Sequence, residues 1–128
     1  MRYLVDSDWV ADYLKGRAPA IQLLDSLVGD GMALSIVTYA ELLEGIYHGH
    51  DPAHSEGVFR RFLQGVPVLG VTKRIAERYA RISGELRAQG LLIPPPDLFI
   101  AATAIQRELV LVTRNRRHFE RIPGVHFQ

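Results

Sequence analysis

Three carboxylates occupy positions where an apolar segment of the sequence gives way to a helical pattern. Asp6 directly follows the apolar run Tyr3–Val5. Glu41 lies one helical turn beyond Thr38, and Asp97 follows three consecutive prolines. Clustered carboxylates repel one another, so they need a neutralising partner, and hard divalent cations prefer oxygen ligands. Because such a metal lowers the pKa of bound water and stabilises charge on a phosphoryl oxygen, these residue types favour metal-assisted phosphodiester hydrolysis.

Two further polar residues are expected beside the carboxylates. Thr113 directly follows the fourth apolar segment of the chain, and Asn115 comes two residues later. In an open parallel sheet, ligands bind outside the carboxyl ends of the strands. We therefore expect Thr113 and Asn115 to lie at the same sheet edge as the three carboxylates.

Each of these residues also has an ordinary structural explanation. Asp6 could end its strand in an Asx turn. Thr38 and Glu41 have the spacing of a capping box, and Asp97 could cap a helix after the prolines. The two polar residues after the fourth strand are common in turns. The shared placement of these residues therefore carries more weight than any one of them.

Short apolar segments alternate with helical patterns along the chain, whose 128 residues suit one domain. The segments with strand character are Tyr3–Val5, Ala33–Val37, Val66–Val71, Leu109–Val112 and Val125–Phe127. Strands separated by helices, with nearly continuous apolar runs, are typical of a parallel sheet covered on both faces. We predict an α/β fold, a three-layer α/β/α sandwich with a mostly parallel central sheet of four to five strands, as a single domain over residues 1–128.

Polar residues and prolines set the expected helix boundaries. Ser7 is expected to cap the first helix, and Thr38 to open the helix after the second strand together with Glu41. Residues 49–54 are expected to form a turn. The prolines at 94–96 are expected to exclude a helix before Asp97.

The charges are unevenly distributed along the chain. Residues 1–58 hold nine acidic and three basic residues, a balance of −6, whereas residues 59–128 hold five acidic and twelve basic residues, a balance of +7. Eleven of those twelve bases are arginines, which suit phosphate groups and stack on bases. The split fits either an acidic site beside a nucleic-acid surface or ordinary solvated helix faces.

Composition excludes several classes of protein. The chain has no cysteine, which excludes disulfides, thiolate zinc sites and cysteine nucleophiles. No Gly-rich phosphate loop follows the first strand, which argues against nucleotide-binding folds. The apolar runs are too short to span a bilayer, and no signal-peptide core follows Met1. We therefore expect a cytoplasmic protein with no membrane partner.

Four blocks of the sequence resemble a known family. They are Tyr3–Asp8 (YLVDSD), Ser35–Leu42 (SIVTYAEL), Pro96–Ala102 (PDLFIAA) and Leu111–Asn115 (LVTRN) with His118–Phe119. In this order they resemble a PIN domain, and more narrowly the VapC ribonuclease toxins of type II toxin–antitoxin modules. The resemblance runs from residue 3 to about residue 125, which is nearly the whole chain.

The resemblance implies roles for individual residues. Asp6, Glu41 and Asp97 match the first three acidic positions of the family. By that match Asp6 and Asp97 hold Mg²⁺ or Mn²⁺, while Glu41 completes the site and helps to orient the attacking water. Thr113 matches the hydroxyl residue near the site. Asn115 stands where many members carry a fourth acid, which makes a second metal less expected here.

The resemblance also implies partners. Members of the family form homodimers and are inhibited by a cognate antitoxin whose C-terminal segment covers the active-site groove. Well-studied members cut structured RNA such as transfer RNA. We expect Arg114, Arg116 and Arg117, followed by Arg121, to grip an RNA backbone beside the site.

Two other functions compete with this interpretation. Asp6–Val10 (DSDWV) fits the loose nucleophile signature of haloacid-dehalogenase-like phosphatases, in which Asp6 would become phosphorylated. That family needs a downstream lysine, and Lys15 and Lys73 are the only lysines. The other alternative is a catalytically silent PIN scaffold that binds RNA or a protein partner.

Some acidic and histidine side chains have no assigned role. Glu44 adds a carboxylate one turn beyond Glu41. The histidines His48, His50 and His54 are expected to decorate a solvated turn rather than to bind metal.

Overall fold

The computed structural model describes residues 1–128 and contains five β-strands and seven α-helices. In chain order these are β1 (Tyr3–Val5), α1 (Ser7–Leu14), α2 (Ala18–Leu27), β2 (Met32–Ser35), α3 (Ile36–Tyr47), α4 (Pro52–Phe62), β3 (Val68–Leu69), α5 (Lys73–Ala88), α6 (Pro95–Gln106), β4 (Val110–Val112), α7 (Arg116–Glu120) and β5 (His126–Phe127). A short 3₁₀ turn, Val28–Asp30, follows α2. None of the helices combines the length and the hydropathy that a membrane-crossing segment needs.

The five strands form one sheet in the order β3-β2-β1-β4-β5, and every neighbouring pair is parallel. The central β1 pairs with two strands that are distant in sequence. Leu4 lies opposite Ala33 on one side and opposite Leu111 on the other. The prediction of a mostly parallel sheet of four to five strands is confirmed, with all five strands parallel.

Two apolar cores lie on opposite faces of the sheet. Tyr3 and Val5 belong to the core formed with α1 to α4, whereas Leu4 belongs to the core formed with α5, α6 and α7. Alternate residues of a strand point to opposite faces, which explains this division. Phe59 and Phe119 are fully buried, one in each core. The predicted three-layer sandwich is confirmed.

Two predicted helix caps are wrong by one to three residues. Asp6, rather than Ser7, caps α1, since its side chain accepts a hydrogen bond from the Ser7 N–H. Ser35, rather than Thr38, caps α3, accepting from the backbone N–H of Thr38 at 3.2 Å. Strand β2 therefore ends before the predicted boundary. Glu41 lies in the second turn of α3 and is not a capping-box partner.

The expectation that the prolines exclude a helix before Asp97 is wrong, because α6 begins at Pro95. Pro95 and Pro96 occupy the first turn of α6, where the backbone N–H groups have no intrahelical acceptor and the fixed φ of proline is helical. Asp97 lies in that first turn, while Pro94 occupies the cap position. The turn expected over residues 49–54 is likewise shorter, because α4 already begins at Pro52.

Candidate active site

Asp6 stands at the end of the central strand and is buried. One carboxylate oxygen, Oδ1, accepts from the Ser7 N–H at 2.8 Å, and the other, Oδ2, accepts from the Thr113 hydroxyl at 2.7 Å. Burial raises the pKa of the Asp6 carboxyl, although these two hydrogen bonds act to lower it. The charges of Asp97 and Asp8 raise the pKa further. A nearby cation would therefore stabilise the ionised form of Asp6.

A chain of hydrogen bonds links Asp6 to Asp97 through the loop after β4. The Thr113 hydroxyl donates to Asp6 and accepts from the backbone N–H of Asn115 at 3.0 Å. The side-chain amide of Asn115 donates in turn to Asp97 Oδ2 over 3.4 Å. These four residues therefore lie close together at one edge of the sheet, because β4 lies beside β1.

His118 also belongs to this cluster, although the sequence predicts no role for it. Its Nδ1 atom forms a short contact with Asp97 Oδ2 and lies 2.8 Å from the side-chain amide nitrogen of Asn115. His118 and Asn115 are three residues apart at the start of α7, a spacing that places side chains on one side of a helix. That spacing was the signal in the sequence that could have pointed to His118.

Glu41 joins the site through its charge rather than through a hydrogen bond. It lies in an exposed position on α3. Partial desolvation raises the pKa of the Glu41 carboxyl, and the charges of Asp6 and Asp97 raise it further, followed by those of Asp8 and Glu44. The charges of the other predicted catalytic carboxylates therefore reach Glu41. Glu44 contributes to the same negative field.

Thr38 is fully buried, and its hydroxyl has no hydrogen-bond partner. The sequence placed Thr38 at the sheet edge as the residue that opens α3. Because Ser35 takes over that capping role, the hydroxyl of Thr38 has no structural function in the helix start.

A groove of about 640 Å³ lies between α1, α3 and α4. Asp8 and Glu41 contribute carboxylates to its lining. His50, from the loop after α3, and His54, from α4, contribute imidazoles. Apolar side chains complete its wall, among them Ala11, Leu14, Leu42, Ile46 and Val58. The groove therefore connects an acidic region with an apolar, histidine-bearing one. His48 is not part of it, and its Nδ1 contacts the carbonyl oxygen of Glu44.

The carboxylates fit a cation that keeps most of its water. No three histidine, aspartate or glutamate side chains form a ready-made set of metal ligands. Mg²⁺ commonly uses only one or two carboxylates and retains several waters. Each oxygen of Asp6 accepts one hydrogen bond and so keeps a free lone pair. Asp6, whose pKa the charge of Asp97 raises, and Asp97 itself thus have both the charge and the free oxygen sites for such an ion.

The arginines near the site differ in the contacts that their guanidinium groups make within the fold. Arg114 Nη2 lies 2.7 Å from Asp12 Oδ2, and its guanidinium stacks on Trp9 with 4.0 Å between Cζ and the ring centroid. Arg116 stacks on Phe127 at 4.5 Å. Arg117 is exposed, as is Arg121. Contact of these arginines with RNA stays a prediction.

Comparison with known proteins gives a consistent result. Residues 3–125 match the model of the PIN domain family. Ribonuclease VapC1 of Haemophilus influenzae strain R2866 is 29% identical over 130 residues, covering 100% of this chain and 97% of that protein. The tRNA(fMet)-specific endonuclease VapC of Salmonella typhimurium strain LT2 is 30% identical over 128 residues, covering 100% of this chain and 97% of that protein.

The fold is also similar to that of a solved complex. The crystal structure of DNA-bound VapBC from Salmonella typhimurium contains a chain that superposes with a TM-score of 0.90. The two sequences are 30% identical, and the superposition covers 100% of this chain and 97% of the other.

Proposed function

This chain belongs to the PIN domain family, and on that premise we propose that it is a metal-dependent endoribonuclease, the toxin of a toxin–antitoxin pair. The observation that supports this best is the hydrogen-bonded path from Asp6 through Thr113 and Asn115 to Asp97. It gathers two carboxylates at the carboxyl edge of a parallel sheet, where ligands of such sheets bind. Glu41 adds a third negative charge to the same place.

In this proposal Asp6 and Asp97 hold Mg²⁺ or Mn²⁺. When bound, such an ion lowers the pKa of a coordinated water and neutralises charge on the phosphoryl oxygens. Thr113 fixes the orientation of Asp6 through a 2.7 Å hydrogen bond, and Asn115 supports Asp97. These contacts hold the two carboxylates before substrate arrives, which reduces the reorganisation needed during the reaction.

Glu41 is the residue that orients and deprotonates the attacking water. Its raised pKa makes it a stronger base than an ordinary carboxylate. The water oxygen forms a bond to phosphorus, its proton passes to Glu41, and the bond from phosphorus to the leaving sugar oxygen breaks. The leaving oxygen takes a proton from solvent.

The substrate proposed is structured RNA, with transfer RNA as the first candidate. A relative that is 30% identical over the whole chain carries the name tRNA(fMet)-specific endonuclease. Arg116 and Arg117 lie just after the site loop and supply positive charge for the RNA backbone. Arg114 could join them only by leaving its contacts with Asp12 and Trp9.

The partners proposed are an antitoxin and a second copy of this chain. A solved neighbour with 30% identity is a VapBC complex. The groove between α1, α3 and α4 borders Glu41 and has the apolar wall that a peptide segment requires. A segment seated there would cover the acidic site and block substrate. The homodimer rests on the family resemblance alone.

The experiment incubates the purified, antitoxin-free protein with total transfer RNA in Mg²⁺, in Mn²⁺ and in EDTA. The variants are Asp97→Asn and, as a matched control, Asp30→Asn, whose carboxylate is exposed and stands before β2 at the opposite edge of the sheet. We expect discrete fragments that need the metal, that persist in the control and that vanish in Asp97→Asn while its thermal unfolding is retained. Cleavage by Asp97→Asn at the wild-type rate would refute the proposed site.

The two competing functions give different results in the same samples. A silent PIN scaffold would bind RNA in a gel-shift assay but leave it intact in every metal. A phosphatase that uses Asp6 would form an aspartyl-phosphate from small phosphoesters, which mass spectrometry of the intact protein detects. The phosphatase mechanism requires a lysine, for which Lys15 and Lys73 are the candidates. Lys15 lies along the groove wall.

A further inference from the structure

His118 is tied to the candidate metal site by its position and not by any predicted role. Its Nδ1 atom contacts the same carboxylate oxygen, Asp97 Oδ2, that accepts from Asn115. The side chain of Asp97 is only 18% exposed, and that of His118 is 38% exposed. The contact is therefore partly shielded from water, where a hydrogen bond to a carboxylate is strong.

The donors and acceptors of the three side chains favour one position for the imidazole proton. An ionised carboxylate can only accept hydrogen bonds, so the short contact between Asp97 and His118 requires a proton on Nδ1. The Asn115 amide nitrogen lies 2.8 Å from Nδ1 but cannot then donate to it, which leaves its N–H to donate to Asp97 Oδ2, 3.4 Å away. His118 and Asn115 thus both donate to one oxygen of Asp97, which leaves the other oxygen for a different ligand.

The helix that carries His118 is anchored in the core. Phe119, the next residue, is fully buried, and Ile122 is 3% exposed. Both belong to the core on the α5–α7 face of the sheet. His118 is therefore held by a packed element, and it can in turn restrict the rotation of Asp97 on α6.

We infer that His118 is a positioning residue which, through its Nδ1–H, holds the Asp97 carboxylate in the orientation that binds the metal ion. The inference rests on the proposed function, since it assigns Asp97 to the metal. A residue that orients a metal ligand typically changes metal affinity by about 10- to 100-fold when its hydrogen bond is removed.

The experiment measures Mn²⁺ binding to the full chain, from the electron paramagnetic resonance signal of free Mn²⁺. His118→Phe keeps a planar ring without a donor, whereas His118→Asn places an amide nitrogen close to the position of Nδ1. His126→Phe serves as the matched control, because His126 is an exposed histidine on β5. Thermal unfolding of each variant verifies that it is folded.

We expect His118→Phe to weaken Mn²⁺ binding by about 10- to 100-fold, His118→Asn to recover most of the loss, and His126→Phe to bind like the wild type. Wild-type affinity in His118→Phe, or an equal loss in both variants of His118, would overturn the inference. If His118→Phe does not fold, His118→Gln replaces it, since its longer side chain carries the amide past the Nδ1 position.

A second measurement needs no metal and separates this inference from the proposed function. The ¹⁵N shifts of the imidazole at pH 8 report which ring nitrogen carries the proton. We expect the Nδ1–H form for His118 in the wild type and its loss in Asp97→Asn. If the wild type binds no Mn²⁺, the metal proposal fails, yet an Nδ1–H form that depends on Asp97 still supports the positioning contact. An Nε2–H form in the wild type contradicts it.

Discussion

The hydroxyl of Thr113 should determine both the stability of the site and its dependence on pH. It donates a 2.7 Å hydrogen bond to the buried carboxylate of Asp6, across 107 residues of sequence. Thr113→Val preserves the shape of the side chain and removes this donor. The variant also removes the acceptor of the Asn115 N–H. Asp6 then keeps its charge in a buried place with only the Ser7 N–H as a partner.

The expected loss follows from the strength of hydrogen bonds to charged groups. Such a bond contributes about 1.5–3 kcal/mol to stability, so we take about 2 kcal/mol for Thr113→Val. With the typical entropy of unfolding per residue, this lowers the Tm of a chain of this length by roughly 7 °C. The control Thr113→Ser keeps the hydroxyl and should recover at least half of the loss.

The sign of the pH dependence can be worked out from Asp6. Its pKa is raised in the folded protein, so the folded state holds the proton more tightly and stability falls as pH rises from the ordinary aspartate range through the folded pKa. Removal of the Thr113 hydrogen bond raises that pKa further. The difference between Thr113→Val and the wild type should therefore be largest above the folded pKa of Asp6 and shrink below the ordinary one.

Urea unfolding at a series of pH values tests this prediction. A Thr113→Val protein as stable as the wild type at pH 7.5 would refute the reasoning. A loss of the same size at every pH would show that the Thr113 hydroxyl stabilises the fold through the Asn115 N–H and not through the charge of Asp6.

Three other predictions follow from the site and its surroundings. Because the pKa of Glu41 is raised, cleavage by the wild type should fall as pH decreases through that raised pKa, and Glu41→Gln should be much slower and lose the part of the fall that Glu41 contributes, as pH–rate profiles would show. Changing Arg116 and Arg117 together to Ala should lower the slope of log K against log salt by about 1.4 for single-stranded and about 1.8 for duplex regions if each contacts one phosphate; an unchanged slope places the RNA elsewhere. Arg114→Ala removes a partly exposed ion pair with Asp12 and a stacked cation, so unfolding should show a loss of about 1–2 kcal/mol, and no loss would mean that these contacts are not stabilising.

Much of the fold could be predicted from the sequence because it depends on local patterns. Runs such as Tyr3–Val5 are apolar at every position, which is typical of a strand buried on both faces. The alternation of such runs with helical patterns predicts the parallel sheet and its three layers. The same reasoning placed Asp6 and Thr113 at the ends of strands, where the structure has them.

Local patterns were insufficient where two residues could do the same task. Ser35 and Thr38 both carry a hydroxyl able to cap a helix, and the choice of Ser35 depends on where β2 stops pairing with its neighbours. The prolines at 95 and 96 suit either an extended segment or a first helical turn. Packing of α6 against α5 and the sheet favours the helix.

The sequence by itself determined the fold class, the placement of Asp6 at a strand end and that of Asp97 in the first turn of a helix, because those features follow from short-range sequence patterns. Only the tertiary structure decided which of these residues touch. The pairing of β4 with β1 brings Thr113 to Asp6, and the anchoring of α7 by Phe119 brings His118 to Asp97. The tertiary structure also decided that Arg114 pairs with Asp12 and stacks on Trp9. Contacts between distant residues depend on how whole elements pack, which no local pattern encodes.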